Sequence, residues 1–295
     1  MRWADDFIAV DWGTTNRRAY RIDRDGHCAA EFADDKGVLS VAPGAFPAAV
    51  GEIRARLGDH PLLLAGMVGS TRGWVETPYV RCPAGLDDLA GNLRWIEPGR
   101  VAVVPGLSVS GDGLADVMRG EEVQVFGALA AATVPPTAIV CHPGTHNKWI
   151  GLADGKITAF RTVMTGEMFN LLRGGGILAE MLAGDVVPGE AFEAGVRRGL
   201  AAPALTAELF TIRARVLLGE LPRESAASFT SGLLIGLDLS VGLDLAGGSD
   251  IFIMGRPELT SLYADGAAAA GRTVREIDGA DAFIAGAAAI ARSLT

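Results

Sequence analysis

The chain reads as an α/β protein built from two similar halves. Three observations predict this. Short apolar runs that suit strands alternate with longer stretches whose apolar residues recur at helical spacing. Near the N-terminus an apolar strand runs into a polar bend, Asp11-Trp12-Gly13-Thr14-Thr15-Asn16. Near the midpoint a second apolar strand runs into a second such bend, His142-Pro143-Gly144-Thr145-His146-Asn147-Lys148-Trp149. Matching bends in matching contexts predict a duplicated layout with a cleft between the halves.

Each element follows from local pattern. Phe7 to Val10 leads into the first bend and Ala19-Tyr20-Arg21-Ile22 leads out, which reads as strand, turn, strand. Gly26 to Phe32 supplies a third strand. Ala45 to Leu57 places Phe46, Val50, Ile53 and Leu57 at helical spacing after Pro43-Gly44. Pro61 to Ala65 is a short buried strand. Gly66-Met67-Val68-Gly69-Ser70 is a glycine-bounded loop, continued by a polar and aromatic segment to Pro83. Leu86 to Leu93 is a short helix, and Val101 to Val104 a strand stopped by Pro105-Gly106. A helix from about Asp116 to Ala131 follows. The order β-β-β-α-β-α-β resembles the ribonuclease-H layout.

The second half repeats this order. Strands are predicted at Ala138–Cys141, Asn147–Leu152 and Lys156–Val163, and Gly166–Leu172 opens a helical region. Residues 174–224 have no counterpart in the first half and read as a mostly helical insertion. Ser228 to Leu245 is a long apolar helix, Ile251 to Met254 a buried strand, Leu259 to Ala270 a helix, Thr273 to Ile277 a strand and Ala280 to Ser293 a final helix. The predicted domains are 1–117 and 118–295, and Pro135-Pro136 is the only candidate for a joint between the halves.

Bulk properties narrow the function. The 295 residues carry a hydrophobic fraction of 49% and a charged fraction of 21%, ample for packed cores and unlike a disordered chain. A formal charge of −9 gives no support for nucleic-acid binding. No uninterrupted apolar stretch suits a bilayer. The short polar start gives no sign of a secretory leader, and Cys28, Cys82 and Cys141 suit buried or semi-buried thiols in a reducing cytoplasm. Pro143-Gly144 between His142 and His146 breaks the helix that a zinc pair would need. Gly106-Leu107-Ser108-Val109-Ser110-Gly111 misses a nucleophile elbow by one residue, and no Walker-type phosphate loop is present.

The bends carry the chemistry. Gly13 permits close backbone approach, and Thr14, Thr15 and Asn16 add side-chain donors to the amides of the turn, so phosphate oxygens can be cradled there. Asp11, at the strand end, is placed to hold a hydrated Mg²⁺, an ion that needs few protein ligands when phosphates supply the rest. Gly144, Thr145 and Asn147 repeat the cradle. Lys148 either neutralises a phosphate or is a solvated hairpin residue. His142 stands where Asp11 stands in the first half, so the halves are not chemically equivalent.

A wider set of strings resembles the 2-dehydro-3-deoxygalactonokinase family, within the superfamily of actin, the heat-shock ATPase chaperones and sugar kinases. They are Val10-Asp11-Trp12-Gly13-Thr14-Thr15-Asn16, Gly66-Met67-Val68-Gly69-Ser70, Gly73-Trp74 with Pro78-Tyr79, Asp116-Val117-Met118-Arg119-Gly120-Glu121-Glu122, Pro143-Gly144-Thr145-His146-Asn147-Lys148-Trp149 and Met164-Thr165-Gly166-Glu167. Asn147 departs from a position where serine is as common. The resemblance implies two ribonuclease-H-like (actin-like ATPase) domains around a central cleft. It also implies ATP-dependent phosphorylation of 2-dehydro-3-deoxy-D-galactonate on its 6-hydroxyl, with Mg²⁺. The alternatives are a kinase for another sugar or sugar acid, such as 2-keto-3-deoxygluconate, and a non-catalytic nucleotide-dependent sensor.

Roles follow from what phosphoryl transfer needs: phosphate cradles, a metal and a group to orient the hydroxyl. Asp11 is the metal-side acid. Gly13, Thr14 and Thr15, with Asn16 and Arg17, form one cradle, and Gly144, Thr145 and Asn147 the other. Asp116 is the candidate general base or a helix N-cap, with Glu121 and Glu122 as rivals. Arg119 and Arg72 suit the substrate carboxylate, and Ser70, Trp74, Glu76 and Tyr79 line the same site. Gly255, before Arg256-Pro257, and Gly232 are candidates for the adenosine end. The final helices serve either a homodimer or only the core.

Overall fold

The computed structural model describes residues 3, 5–111, 113–201 and 204–294; Met1, Arg2, Ala4, Asp112, Ala202, Pro203 and Thr295 lie outside the described residues. The first strands are β1 (Phe7–Trp12), β2 (Arg17–Ile22) and β3 (Cys28–Asp34). Then come α1 (Phe46–Leu57), β4 (Leu62–Gly66), β5 (Tyr79–Arg81), α2 (Leu86–Ala90), β6 (Arg94–Glu97), β7 (Val101–Val103), β8 (Gly106–Gly111), β9 (Leu114–Met118) and α3 (Glu121–Ala130). The chain continues through β10 (Ala138–His142), β11 (Asn147–Ala153), β12 (Lys156–Val163), α4 (Thr165–Gly174), α5 (Glu190–Ala201) and α6 (Leu205–Leu217). It ends with α7 (Ala226–Ala246), β13 (Ile251–Gly255), α8 (Pro257–Ala269), β14 (Val274–Asp278) and α9 (Gly279–Arg292).

These elements form two compact units. One comprises Met1–Thr137, Leu152–Ala159 and Gly279–Thr295, the other Ala138–Gly151 and Phe160–Asp278. In the first, a six-stranded sheet runs β3-β2-β1-β4-β7-β6. β1 lies antiparallel to β2 and parallel to β4, and β4 is parallel to β7. β1 and β4 are covered on both faces, which is why both read as unbroken apolar runs. Phe46, Val50, Ile53 and Leu57 of α1 pack with Ile8, Val10, Leu62 and Leu64 of this sheet, as their helical spacing predicts.

A five-stranded sheet, β12-β11-β10-β13-β14, with β10, β13 and β14 parallel, lies mostly in the second unit, while residues Leu152–Ala159 of its β11–β12 hairpin group with the first. Both sheets thus follow the predicted ribonuclease-H-like order. The insertion at 174–224 is mostly helical, as expected. The helix α7 with the turn before it is long and apolar enough to cross a membrane by length and composition, yet most of it is buried in the second unit. Cys28 is exposed rather than semi-buried, Cys82 is half-buried and Cys141 buried.

Two expectations change here. A small third sheet, β5-β8-β9, occupies stretches read as loop and helix. Its strands are short and mostly exposed, and β8 is rich in glycine and serine, so neither periodicity nor propensity marks it. Asp116 therefore lies on β9, opposite Val109 of β8, and not at a helix start. Gly120, at φ 112°, interrupts the right-handed backbone, and the helix begins only at Glu121.

The grouping also differs from a division after residue 117. α3 belongs to the first unit, and so does α9 from the far end of the chain. These two helices meet backbone to backbone: a Cβ on Gly127 would stand 1.8 Å from the Ala282 carbonyl oxygen, and one on Gly286 would stand 1.9 Å from that of Val123.

Candidate active site

In each unit the glycine-threonine bend follows the carboxyl end of a strand that has a parallel neighbour, β1 beside β4 and β10 beside β13. Ligands of open α/β sheets bind outside such strand ends. The first bend is closed by the Gly13 amide donating to the Asn16 carbonyl at 2.9 Å. Its carbonyls are turned inward: Gly13, Thr14 and Thr15 accept from the amides of Val38, Leu39 and Gly37. Thr14, Thr15 and Asn16 are exposed, and Asn16 Nδ2 donates to Thr15 Oγ1 at 3.3 Å.

Asp11 is half-buried at the end of β1, paired in register with Arg18 of β2. Burial lifts its carboxyl to about 6; the Arg18 charge pulls it down and the Glu121 charge pushes it up. Asp11 and Glu121 therefore share one electrostatic neighbourhood. Gly66 and Gly120 make this possible: a Cβ on Gly66 would lie 2.9 Å from the Trp12 carbonyl oxygen and 3.5 Å from Asp11 Oδ1, and one on Gly120 would lie 3.2 Å from Gly66 Cα. Glu121 Oε2 accepts from the Arg119 amide at 3.0 Å, and both oxygens of the buried Glu122 accept from the Gly120 amide at 2.8 Å. Burial, with the neighbouring Glu121 charge adding to it, pushes the Glu122 carboxyl up to about 8. Asp116 is half-buried, and its Oδ1 accepts from the Val117 amide at 2.8 Å.

Arg17, expected at the phosphates, is elsewhere. It is fully buried and donates to both oxygens of Asp34, to Glu52 Oε2 and to the Ala49 carbonyl. Strand alternation sends Arg17 and Arg18 to opposite faces, and Arg18 is the one beside Asp11.

On the loop before β5, Arg72 and Glu76 are exposed, and Ser70 Oγ donates to the Met67 carbonyl at 2.7 Å while accepting from the Arg72 amide. Trp74 is partly buried and stacks on Phe46, with centroids 6.0 Å apart, so one side of it packs against the core cluster. Arg119 hydrogen-bonds the hydroxyl and carbonyl of Thr77 and lies over the Tyr79 ring, 4.4 Å from its centroid. Its guanidinium thus orders the loop that precedes β5.

The second bend is held from beneath. Asn147 is fully buried, and its Nδ2 donates to both oxygens of Asp238 on α7, at 2.8 and 2.9 Å. It is an anchor beneath the bend and not a phosphate donor, because its side chain is shut away from the surface and turned to Asp238. The same carboxylate accepts from Trp149 Nε1 at 2.6 Å, Tyr263 OH at 2.5 Å and Thr165 Oγ1. Gly144 and Thr145 stay at the surface of the bend, where Thr145 accepts from the Glu167 amide at 2.9 Å. His146 Nε2 contacts Glu167 Oε2 there. Lys148 is buried rather than solvated. Gly255 ends β13 beside this bend; a Cβ there would lie 3.7 Å from the Pro143 carbonyl oxygen, an ordinary contact.

Gly232 has a different duty from the one expected. A Cβ on it would stand 2.1 Å from the Phe192 carbonyl oxygen, and Gly195, Gly199 and Gly236 make the same kind of approach between α5 and α7. Gly232 is a helix-packing residue. Asp238 is the residue that sequence reading missed. Its signal was an acid in the middle of the long apolar stretch from Ser228 to Leu245, whose other acid, Asp244, stands near the end and is exposed; every other residue on the buried face is apolar or small.

A model of the 2-keto-3-deoxy-galactonokinase family matches residues 11–290. The chain belongs to this family. It is 39% identical to the 2-dehydro-3-deoxygalactonokinase of Escherichia coli (strain K12), over 98% of this chain and 98% of that one. A crystal structure of a candidate 2-dehydro-3-deoxygalactonokinase from Sinorhizobium meliloti has a TM-score of 0.90 at 35% identity, covering 97% of this chain and 98% of that one. Component A of (R)-2-hydroxyglutaryl-CoA dehydratase from Acidaminococcus fermentans shares the fold, with a TM-score of 0.54 at 12% identity over 98% of this chain and 99% of that one. Membership of the 2-keto-3-deoxy-galactonokinase family agrees with the strings quoted above, which lie within the matched span except for Val10.

Proposed function

We propose that this protein transfers the γ-phosphoryl group of ATP to the 6-hydroxyl of 2-dehydro-3-deoxy-D-galactonate. The products are ADP and 2-dehydro-3-deoxy-6-phosphogalactonate, and the hydroxyl proton passes to a carboxylate base. The observation that carries this reading is the family match over nearly the whole chain, joined to a glycine-threonine bend at a parallel strand end in each unit.

Each unit has its own task in this scheme. In the first, the bend Gly13–Asn16 receives phosphate oxygens through its exposed amides and hydroxyls. A hydrated Mg²⁺ suits Asp11, whose bare carboxylate is penalised by burial and would be relieved by a cation; bound there, the ion would neutralise charge on the phosphates. Ser70, Arg72, Glu76 and Tyr79 supply the sugar-acid side, with Arg119 ordering their loop. In the second, Gly144, Thr145 and Gly255 let the nucleotide approach the backbone closely, and Lys148 adds positive charge.

The choice of base turns on the start of α3. Glu121 occupies the first position of that helix, whereas Asp116 lies on β9. Glu121 also shares a field with Asp11, which suits a group that takes a proton as charge moves toward the metal-side acid. Glu121 is therefore the proposed base and Asp116 its rival.

The test is a coupled ATP-consumption assay across keto-deoxy sugar acids and neutral sugars. Turnover restricted to the galactonate-derived acid supports the assignment. Nucleotide binding without turnover on any acceptor would instead favour the sensor. Glu121→Gln is expected to cut kcat at least about a hundredfold with nucleotide affinity kept, and Asp116→Asn to do less; the reverse ranking restores Asp116. The free thiols agree with a cytoplasmic setting.

A further inference from the structure

We infer that Asp238 is a positioning residue for nucleotide binding, fixing the second bend and the first turn of α4 as one rigid receiver for phosphate. The inference rests on the reading above only in taking the second bend as a phosphate site.

Asp238 is wholly buried on α7, and its hydrogen-bond donors arrive from three other elements. Asn147, the first residue of β11 after the bend, reaches both carboxylate oxygens through one nitrogen. Trp149 adds its indole N–H from the same strand. Thr165 donates from the first position of α4, and Tyr263 from α8. Asn147 in turn accepts from Cys141 Sγ of β10 at 3.6 Å, so both strands flanking the bend are tied to the same group.

The tie extends into the bend itself. Gly166, next to Thr165, packs so closely that a Cβ there would stand 2.5 Å from the Gly144 carbonyl oxygen. The Glu167 amide donates to the Thr145 carbonyl. Orientation therefore passes from Asp238 through Asn147 into one side of the bend, and through Thr165 into the other.

The chemistry requires a carboxylate. Its two oxygens offer about four lone-pair sites and no hydrogen, which matches these donors. An asparagine would turn an NH₂ group toward at least one donor. Buried charge held by neutral donors adds little stability compared with apolar packing. Its yield here is geometry at the bend.

The experiment uses the full chain. Magnesium AMPPNP affinity is measured by titration calorimetry for wild type, Asp238→Asn, Thr165→Val and Tyr263→Phe, with Tm for each and separate KM values for ATP and the sugar acid. Asp238→Asn is expected to raise the nucleotide Kd and the ATP KM by about tenfold or more, while the sugar-acid KM stays within about twofold. Thr165→Val should move Kd in the same direction. Tyr263→Phe, whose donor comes from α8 and not from the bend, should lower Tm and leave Kd in place. A fall in Tm for Asp238→Asn and Thr165→Val with an unchanged Kd makes the network purely structural and overturns the inference. Should Asp238→Asn fail to fold, Thr165→Val decides. Failure of the wild type to phosphorylate any sugar acid would sink the kinase reading alone, since the Kd comparison still decides the role of Asp238.

Discussion

The guanidinium of Arg17 and the carboxylate of Asp34 meet through two near-parallel hydrogen bonds, Nε to Oδ1 at 2.9 Å and Nη2 to Oδ2 at 3.1 Å. Arg17 also lies near the Trp12 and Phe32 rings, 5.3 and 5.8 Å from their centroids. Its removal would leave Asp34 and Glu52 without their buried cation. Arg17→Ala is expected to cost about 3 kcal/mol in urea unfolding, because it empties a fully buried site and removes its hydrogen bonds to Asp34, Glu52 and Ala49, although Asp34 keeps Arg56 and Glu52 keeps Lys36. A loss under about 0.5 kcal/mol, the range of ordinary surface changes, would return Arg17 to the phosphate site.

Arg18 is the cation that acts on Asp11. With the Asp11 carboxyl lifted to about 6, metal-dependent turnover should rise with pH as that group ionises. Arg18 lowers this value, so Arg18→Ala should move the acid limb of the kcat/KM profile to higher pH. The profile is read from initial rates between about pH 5 and 8, the span over which a group near 6 changes charge. A limb that stays in place contradicts the pairing of these two residues.

Glu122 makes stability depend on pH in the opposite sense from most carboxylates. Its folded value is about 8 against an ordinary 4.5, so the folded state holds the proton more tightly. The contribution is fully present below about 4.5 and is lost as pH rises through about 8. Asp11 behaves alike, but its window closes near 6. Glu122→Gln keeps an oxygen for the Gly120 amide and removes the ionisation. Urea unfolding of the metal-free chain at pH 6 and 8.5 should show wild type losing on the order of a few kcal/mol and the variant much less. Equal losses would mean that Glu122 does not titrate in that window.

The repeated strands and both bends were legible in the sequence because their signals are local. An apolar run such as Phe7 to Val10 needs no partner to be read as a buried strand. What stayed hidden depends on partners distant in the chain. The alternation that turns Arg17 inward and Arg18 toward Asp11 is visible, but the face that carries the site is set by Asp34 and Glu52. Asn147 has the right type for a phosphate donor, and only Asp238, on a helix far along the chain, removes it from that duty. Gly232 suits a close approach of nucleotide by type and is a packing glycine by virtue of Phe192. The start of α3 was misplaced because β9 finds its pairing in β8, whose serines and glycines give no strand signal.

The return of α9 to the first unit has a consequence for how the chain assembles. Domains synthesised first generally fold first, but here the seat for α9 on α3 is made about a hundred and fifty residues before its occupant emerges from the ribosome. Until then the face of α3 around Gly127 lacks the helix that packs on it, and the N-terminal unit lacks its closing helix. A nascent chain halted before Gly279 should therefore remain open to protease along α3, and resistance should arrive only once α9 has been made.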